Sequence, residues 1–163
     1  MVQGVDTLPY RLLLPEQYDA PKTYPVVFFL HGAGERGRDN EKQLVHGGKL
    51  FLIDSIRKNH PAIVVFPQCG AADYWSNVLR LHDDKGNRTF NFLAEGEATR
   101  SMEMLQHLVQ FVMEEYPINK QQVYVGGLSM GGMATFELVR RMNGIFAAAF
   151  PICGGANTLT AKK

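Results

Sequence analysis

Gly127-Leu128-Ser129-Met130-Gly131 places a serine midway between two glycines, within a run that extends from Gly126 to Gly132. That spacing suits a nucleophile elbow, a tight strand-to-helix turn that lifts a serine hydroxyl clear of the backbone. Side chains two residues to either side of such a serine would collide with the turn, and Gly127 and Gly131 have none. The turn also aims the first N–H groups of the following helix at the point where an attacked carbonyl gathers negative charge, and Met130 is the natural first donor. The chemistry implied is acyl transfer through serine. Glycine-rich turns of this kind also bind phosphate or simply pack closely, and a bare Gly-x-Ser-x-Gly is common by chance. The flanks favour the elbow: Gln122-Val123-Tyr124-Val125 is β-rich, and residues 133–142 carry helix formers closed by Asn143-Gly144.

A second glycine loop, His31-Gly32-Ala33-Gly34-Glu35-Arg36-Gly37, follows the apolar run Tyr24-Pro25-Val26-Val27-Phe28-Phe29-Leu30. Unbroken rather than alternating apolarity predicts a strand buried on both faces, as in a parallel sheet covered by helices. Its loop then lies at the carboxyl end of the sheet beside Ser129, where the backbone of Ala33 or Gly34 can supply a second oxyanion donor. The alternative is a loop that merely turns. Each glycine motif stands where the other predicts it.

The elements that must position these loops alternate along the chain. Strand-like runs fall at residues 11–14, 26–30, 63–66, 123–125 and 147–152, and helical patterns at 49–58, 99–116 and 130–142. Such alternation predicts an α/β fold, a three-layer α/β/α sandwich around a mostly parallel sheet. Residues 1–163 read as a single domain. Residues 73–96 read as one long loop with turn signals at Asp84-Lys85-Gly86-Asn87, long enough to suggest a role at the mouth of a site. Trp75 on that loop reads equally as a flat wall for substrate or as a plug of the core.

Taken together, these stretches resemble α/β-hydrolase esterases of the phospholipase/carboxylesterase, dienelactone hydrolase and polyhydroxybutyrate depolymerase type. Besides the two glycine loops, the resemblance rests on residues 9–15, on Phe66-Pro67-Gln68-Cys69 with Trp75 soon after, and on residues 146–155. It implies hydrolysis of a carboxylic ester, on a small molecule or a polymer, through an acyl-serine that needs no metal or organic cofactor. It further implies that His31 and Gly32 hold the loop while Gly127 and Gly131 permit the elbow.

The same resemblance calls for an acid and then a histidine after the serine. After Ser129 the one acidic residue is Glu137, two turns along the predicted helix, where it reads as surface or helix-stabilising. All five histidines, His31, His46, His60, His82 and His107, precede the serine. His107 falls on the polar side of a helix whose apolar positions are Met102, Leu105, Val109 and Val112. His46, His60 and His82 have polar or glycine-bearing neighbours and read as surface. The expectation is therefore an esterase lacking its carboxyl-terminal part, weakly active or dependent on another chain for its base, or else a silent binding or oligomerising domain. Ending on an apolar strand would leave an exposed sheet edge, which predicts homo-oligomers.

Composition bounds the remainder. A chain of 163 residues, 45% hydrophobic, can bury a substantial core. The formal net charge of +1 comes from interspersed signs, so neither a nucleic-acid surface nor a polybasic membrane patch is expected. The opening Met1-Val2-Gln3-Gly4-Val5-Asp6 lacks an apolar signal core and no stretch is long enough to span a bilayer, which reads as a soluble cytoplasmic protein, secretion not excluded. Cys69 and Cys153 each end a predicted strand about three strand spacings apart, roughly 14 Å. A disulfide requires Cα atoms within about 7 Å, so both are expected as free thiols, Cys153 as a core residue.

Overall fold

The computed structural model describes residues 7–160, so Met1 to Asp6, which carry the expectation about a signal core, lie outside the described residues. Five strands form the main sheet: β1 (Tyr10–Leu13), β2 (Tyr24–Leu30), β3 (Ile63–Pro67), β6 (Ile118–Leu128) and β7 (Ala148–Ile152). Their spatial order is β1-β3-β2-β6-β7. β1 runs antiparallel to β3, and every other pairing is parallel. This is the mostly parallel sheet anticipated, with β2 at its centre.

Central position explains why β2 is apolar throughout. Val26, Phe28 and Leu30 face one layer, formed by α2 (Arg100–Glu115) and α3 (Met130–Arg141), together with Leu105, Val109, Ala134 and Leu138. Phe29, with Val64 and Phe66, faces the opposite layer, where Leu44 and Phe51 cover it. That second layer is short: three-residue 3-10 turns, then α1 (Asp54–Asn59). The predicted helix over residues 49–58 is thus broken, because Ile53 is extended, with ψ of 124°. α2 begins where Thr99 caps it, its hydroxyl accepting the Met102 N–H.

The segment read as a long loop contains a hairpin, β4 (Val78–His82) paired antiparallel with β5 (Arg88–Phe92). Its strands are largely exposed and rich in polar residues, so the apolar signal that marks core strands is missing. The turn signal was real: Asp83 accepts N–H bonds from Lys85 and Asn87, and Gly86 has φ of 79°.

Candidate active site

Ser129 stands between the end of β6 and the first turn of α3 with φ of 54° and ψ of −108°, a conformation costly for a residue bearing a side chain. The backbone is held there from both sides. Its N–H donates to Ile152 O at 2.8 Å and its carbonyl accepts the Met133 N–H at 3.0 Å. The side chain caps nothing in α3, and the residue is exposed. A Cβ at Gly127 would lie 2.6 Å from Leu30 O, and one at Gly131 would land on the Leu30 carbonyl itself. The two glycines are required because the end of β2 passes directly behind the turn.

The loop after β2 lies against the elbow. A Cβ on Gly32 would come within 3.8 Å of Ser129 Cβ and 3.6 Å of Leu128 O. Gly32-Ala33-Gly34 therefore borders the serine, Gly34 exposed and Ala33 partly so. Glu35 N–H bonds weakly to Gly32 O at 3.4 Å, closing a single 3-10 turn over Ala33–Glu35. The Met130 amide opens α3, where no residue four positions earlier within the helix can accept its hydrogen.

The loop is held by the end of β3. His31 is fully buried, and its Nε2 accepts the Cys69 N–H at 2.9 Å, which leaves Nδ1 to carry the proton and donate to Gly32 O at 2.6 Å. Burial pushes the His31 imidazole below its ordinary pKa, outweighing the hydrogen bond to Gly32 and the nearby Glu35 carboxylate. The ring is a neutral strut. Gln68, also fully buried, donates to Glu35 O and Asp39 Oδ1 and accepts the Asn40 N–H, stapling residues 35–40. Phe66-Pro67-Gln68-Cys69 stood out in the sequence, but its role as the clamp of a loop some 30 positions earlier did not.

Trp75 is not a wall of the site. It is 0% exposed, part of the main core, with its ring 5.4 Å from that of His31. An indole is the largest apolar side chain available, and the space behind the loop takes it entirely. Cys69 is buried as well, its thiol donating to Ser101 Oγ and pushed up to about 11 by desolvation. Both cysteines are free, but Cys153 is exposed rather than in the core, because it follows the edge strand with φ of 51°. Glu137 is only 10% exposed in its side chain. Its carboxylate accepts Arg141 Nε–H at 2.7 Å and the Asn77 N–H at 2.8 Å, so it braces α3 against the base of the hairpin.

His46, His60, His82 and His107 are all exposed. One of them has a relation to the elbow that the sequence did not reveal. Glu35 Oε2 sits 2.9 Å from where a Gly32 Cβ would be, the same spot Ser129 Cβ borders, and Glu35 Oε1 lies 3.7 Å from His46 Nε2. Carboxylate and imidazole are eleven residues apart, a spacing with no local signature. A cleft of about 450 Å³ lies elsewhere, lined by Pro25, Val27, Ala62, Val64 and Gln122 among others. Those residues open the parallel strands, whereas Ser129 lies past their carboxyl ends, the end where open α/β sheets bind ligands.

A mostly parallel sheet between helical layers, with a strained serine on a strand-to-helix turn at its carboxyl end, defines the α/β-hydrolase fold. The chain belongs to the esterase family: the family described as "Putative esterase" matches residues 6–158. A thermostable esterase of known structure superposes with a TM-score of 0.78 at 34% identity, over 94% of this chain and 39% of that one. The feruloyl esterase module from Clostridium thermocellum does so with a TM-score of 0.62 at 22% identity, over 90% of this chain and 49% of the module, a likeness of fold. A bifunctional acetylxylan esterase/xylanase of Neocallimastix patriciarum is 31% identical over 67 residues, 41% of this chain and 10% of the relative. The chain thus spans well under two thirds of the length of these relatives. Among the described residues no helix is long and apolar enough to cross a membrane.

Proposed function

We propose that this chain carries the nucleophile and the oxyanion-binding half of a carboxylic-ester hydrolase. Ser129 Oγ attacks the ester carbonyl carbon, and the resulting oxyanion is held by the Met130 N–H with a second N–H from Ala33 or Gly34. The tetrahedral species collapses, the alcohol leaves, and water releases the acid from the acyl-serine. One observation carries this reading: Ser129 is fixed at a positive φ with an exposed hydroxyl beside the Gly32-Ala33-Gly34 backbone. Strain of that kind persists only where the surrounding structure imposes it, and it gathers at reactive positions. Two preorganised donors would supply the largest electrostatic contribution, on the order of 10²–10³-fold for each.

The base that takes the Ser129 proton is proposed to come from polypeptide outside residues 7–160 or from a second chain. Among the described histidines, His31 is spent on the loop and His60 lines the cleft at the opposite end of the strands. A second reading is favoured by the Glu35–His46 pair, whose carboxylate shares the Gly32 flank with Ser129. Loss of the base from a serine triad costs about 10⁶-fold, with roughly 10³–10⁴ over water remaining from oxyanion and binding contributions. Slow turnover is therefore expected from this chain alone. What the Neocallimastix relative's name says it acts on makes short acyl groups on a polysaccharide the first substrates to try.

Hydrolysis of p-nitrophenyl acetate, with fluorophosphonate labelling in parallel, tests the proposal. Both are expected to vanish in Ser129→Ala, and a rate undiminished by that change refutes the assignment. In the same assay His46→Ala divides the two sources of base, since only the internal pair predicts a loss.

A further inference from the structure

The hairpin that replaces the expected loop carries a basic face. Its register sets Val78 opposite Phe92, Arg80 opposite Phe90 and His82 opposite Arg88. Alternate residues share a face, so all six side chains project from the same side. That side is turned toward the body of the protein: Val78 and Phe92 pack on the main core, and Phe92 lies 2.7 Å from where a Gly155 Cβ would be. The Phe90 and Phe92 rings are stacked, 6.3 Å apart.

Tyr74 ties this face to the elbow. Arg80 Cζ lies 4.8 Å from the Tyr74 ring centroid, and Arg36 Cζ lies 5.7 Å from it. Arg36 belongs to the loop proposed to bind the oxyanion, and its Nε–H donates to Ala33 O at 2.9 Å. The Tyr74 hydroxyl reaches Met133 Sδ at 3.9 Å, one helical turn beyond Ser129. Two guanidinium groups thus flank one ring, and burial raises the Tyr74 phenol while Arg80, Arg36 and the more distant Arg88 act in the opposite sense.

Neither Arg80 nor Arg88 has an ion pair among the described residues. The nearby Asp73 is committed, one oxygen accepting the Tyr74 N–H and the other the Ser101 N–H. Like charges on neighbouring positions of a two-stranded ribbon oppose its formation. Arg36 already spends Nε on Ala33 O and Nη1 on Asp73 O, whereas Arg80, stacked on the ring, keeps its fork of N–H donors for a planar oxyanion.

We propose that Arg80, stacked on Tyr74, and Arg88, on the same hairpin face, form a subsite for a carboxylate carried by the substrate on the side remote from the scissile ester, with Phe90 and Phe92 as its apolar flank and Arg36 behind Tyr74. The substrate class is accordingly an ester bearing a second, free carboxyl group, such as a hemiester of a dicarboxylic acid or an acylated acidic saccharide. The proposal rests on Ser129 as the reacting residue, but binding at the subsite does not require turnover.

The test is calorimetric titration of Ser129→Ala protein with monobenzyl succinate, which holds a benzyl ester and a free carboxylate, and with neutral benzyl acetate. Monobenzyl succinate is expected to bind at least about tenfold more tightly at low salt. The advantage should shrink as ionic strength rises from about 0.01 M toward 0.3 M, as the screening length falls. Arg80→Gln and Arg88→Gln should each reduce the ratio of the two affinities several-fold, and Arg80→Lys should restore part of it. Equal affinities, no detectable binding of monobenzyl succinate, or a ratio indifferent to both arginines overturns the proposal. Such failure leaves Ser129 as nucleophile untouched. Conversely, carboxylate binding that persists in a protein whose Ser129 proves unreactive refutes the hydrolase reading and keeps the subsite.

Discussion

Replacing His31 by Gln separates the two tasks that this buried ring performs. The imidazole accepts the Cys69 N–H at 2.9 Å and donates to Gly32 O at 2.6 Å, and it does so as a neutral group in a fully buried site. Since burial lowers its pKa in the folded state, the unfolded chain binds a proton first as pH falls below about 6.5. The sign follows: the unfolded state holds more protons, so stability rises with pH, is complete above about 6.5, and is lost as pH falls toward the folded-state value. One proton limits the slope to about 1.4 kcal/mol per pH unit, so at most about 2 kcal/mol disappears between pH 6.5 and pH 5. For a chain of this length that ceiling lowers Tm by no more than roughly 4–8 °C. His31→Gln can still offer an oxygen to the Cys69 amide but cannot titrate. It should lose about 1–3 kcal/mol at pH 8 through imperfect bonding in a dry site, and its own curve should be flatter from pH 6.5 to 5. Urea melts at half-unit pH steps provide the comparison. A wild-type protein with no slope in that window, or a variant with the same slope, refutes the assignment of a neutral buried strut.

Three other perturbations probe the frame of the site. Gly131→Ala drives a methyl group onto the Leu30 carbonyl, so a loss of 3 kcal/mol or more, on the order of a severe overpacking, should appear in chemical melts; a loss below about 1 kcal/mol contradicts the close approach. Thr99→Ala removes the cap of α2 and should cost about 1 kcal/mol in the same melts without altering labelling of Ser129. The β7 strand, paired on one side by β6 and exposed along its residues, is proposed to join a second copy of the chain. Light scattering should therefore find dimers or larger species that Ala149→Lys shifts toward monomer, and a wild-type monomer at all concentrations removes that idea.

What the residues alone determined lies within short spans of chain. Gly127-Leu128-Ser129-Met130-Gly131 announces the elbow because strand, turn and helix follow one another without interruption, and the unbroken apolarity of residues 26–30 announces a strand covered on both faces. What the tertiary structure decided joins segments far apart. Gly131 must be glycine because Leu30, a hundred positions earlier, places its carbonyl there. Trp75 is core because the glycine loop, held by His31 and Gln68, closes over it, and an aromatic residue's composition does not say which side of a loop it occupies. The hairpin is not legible in the sequence because arginine, histidine and other polar residues interrupt the apolar ones on its short, exposed strands, and the meeting of Arg36 and Arg80 on Tyr74 arises only when that hairpin folds back. Local spacing records what neighbouring atoms forbid. The environment of Ser129 depends on which distant strands the parallel sheet brings together at one end.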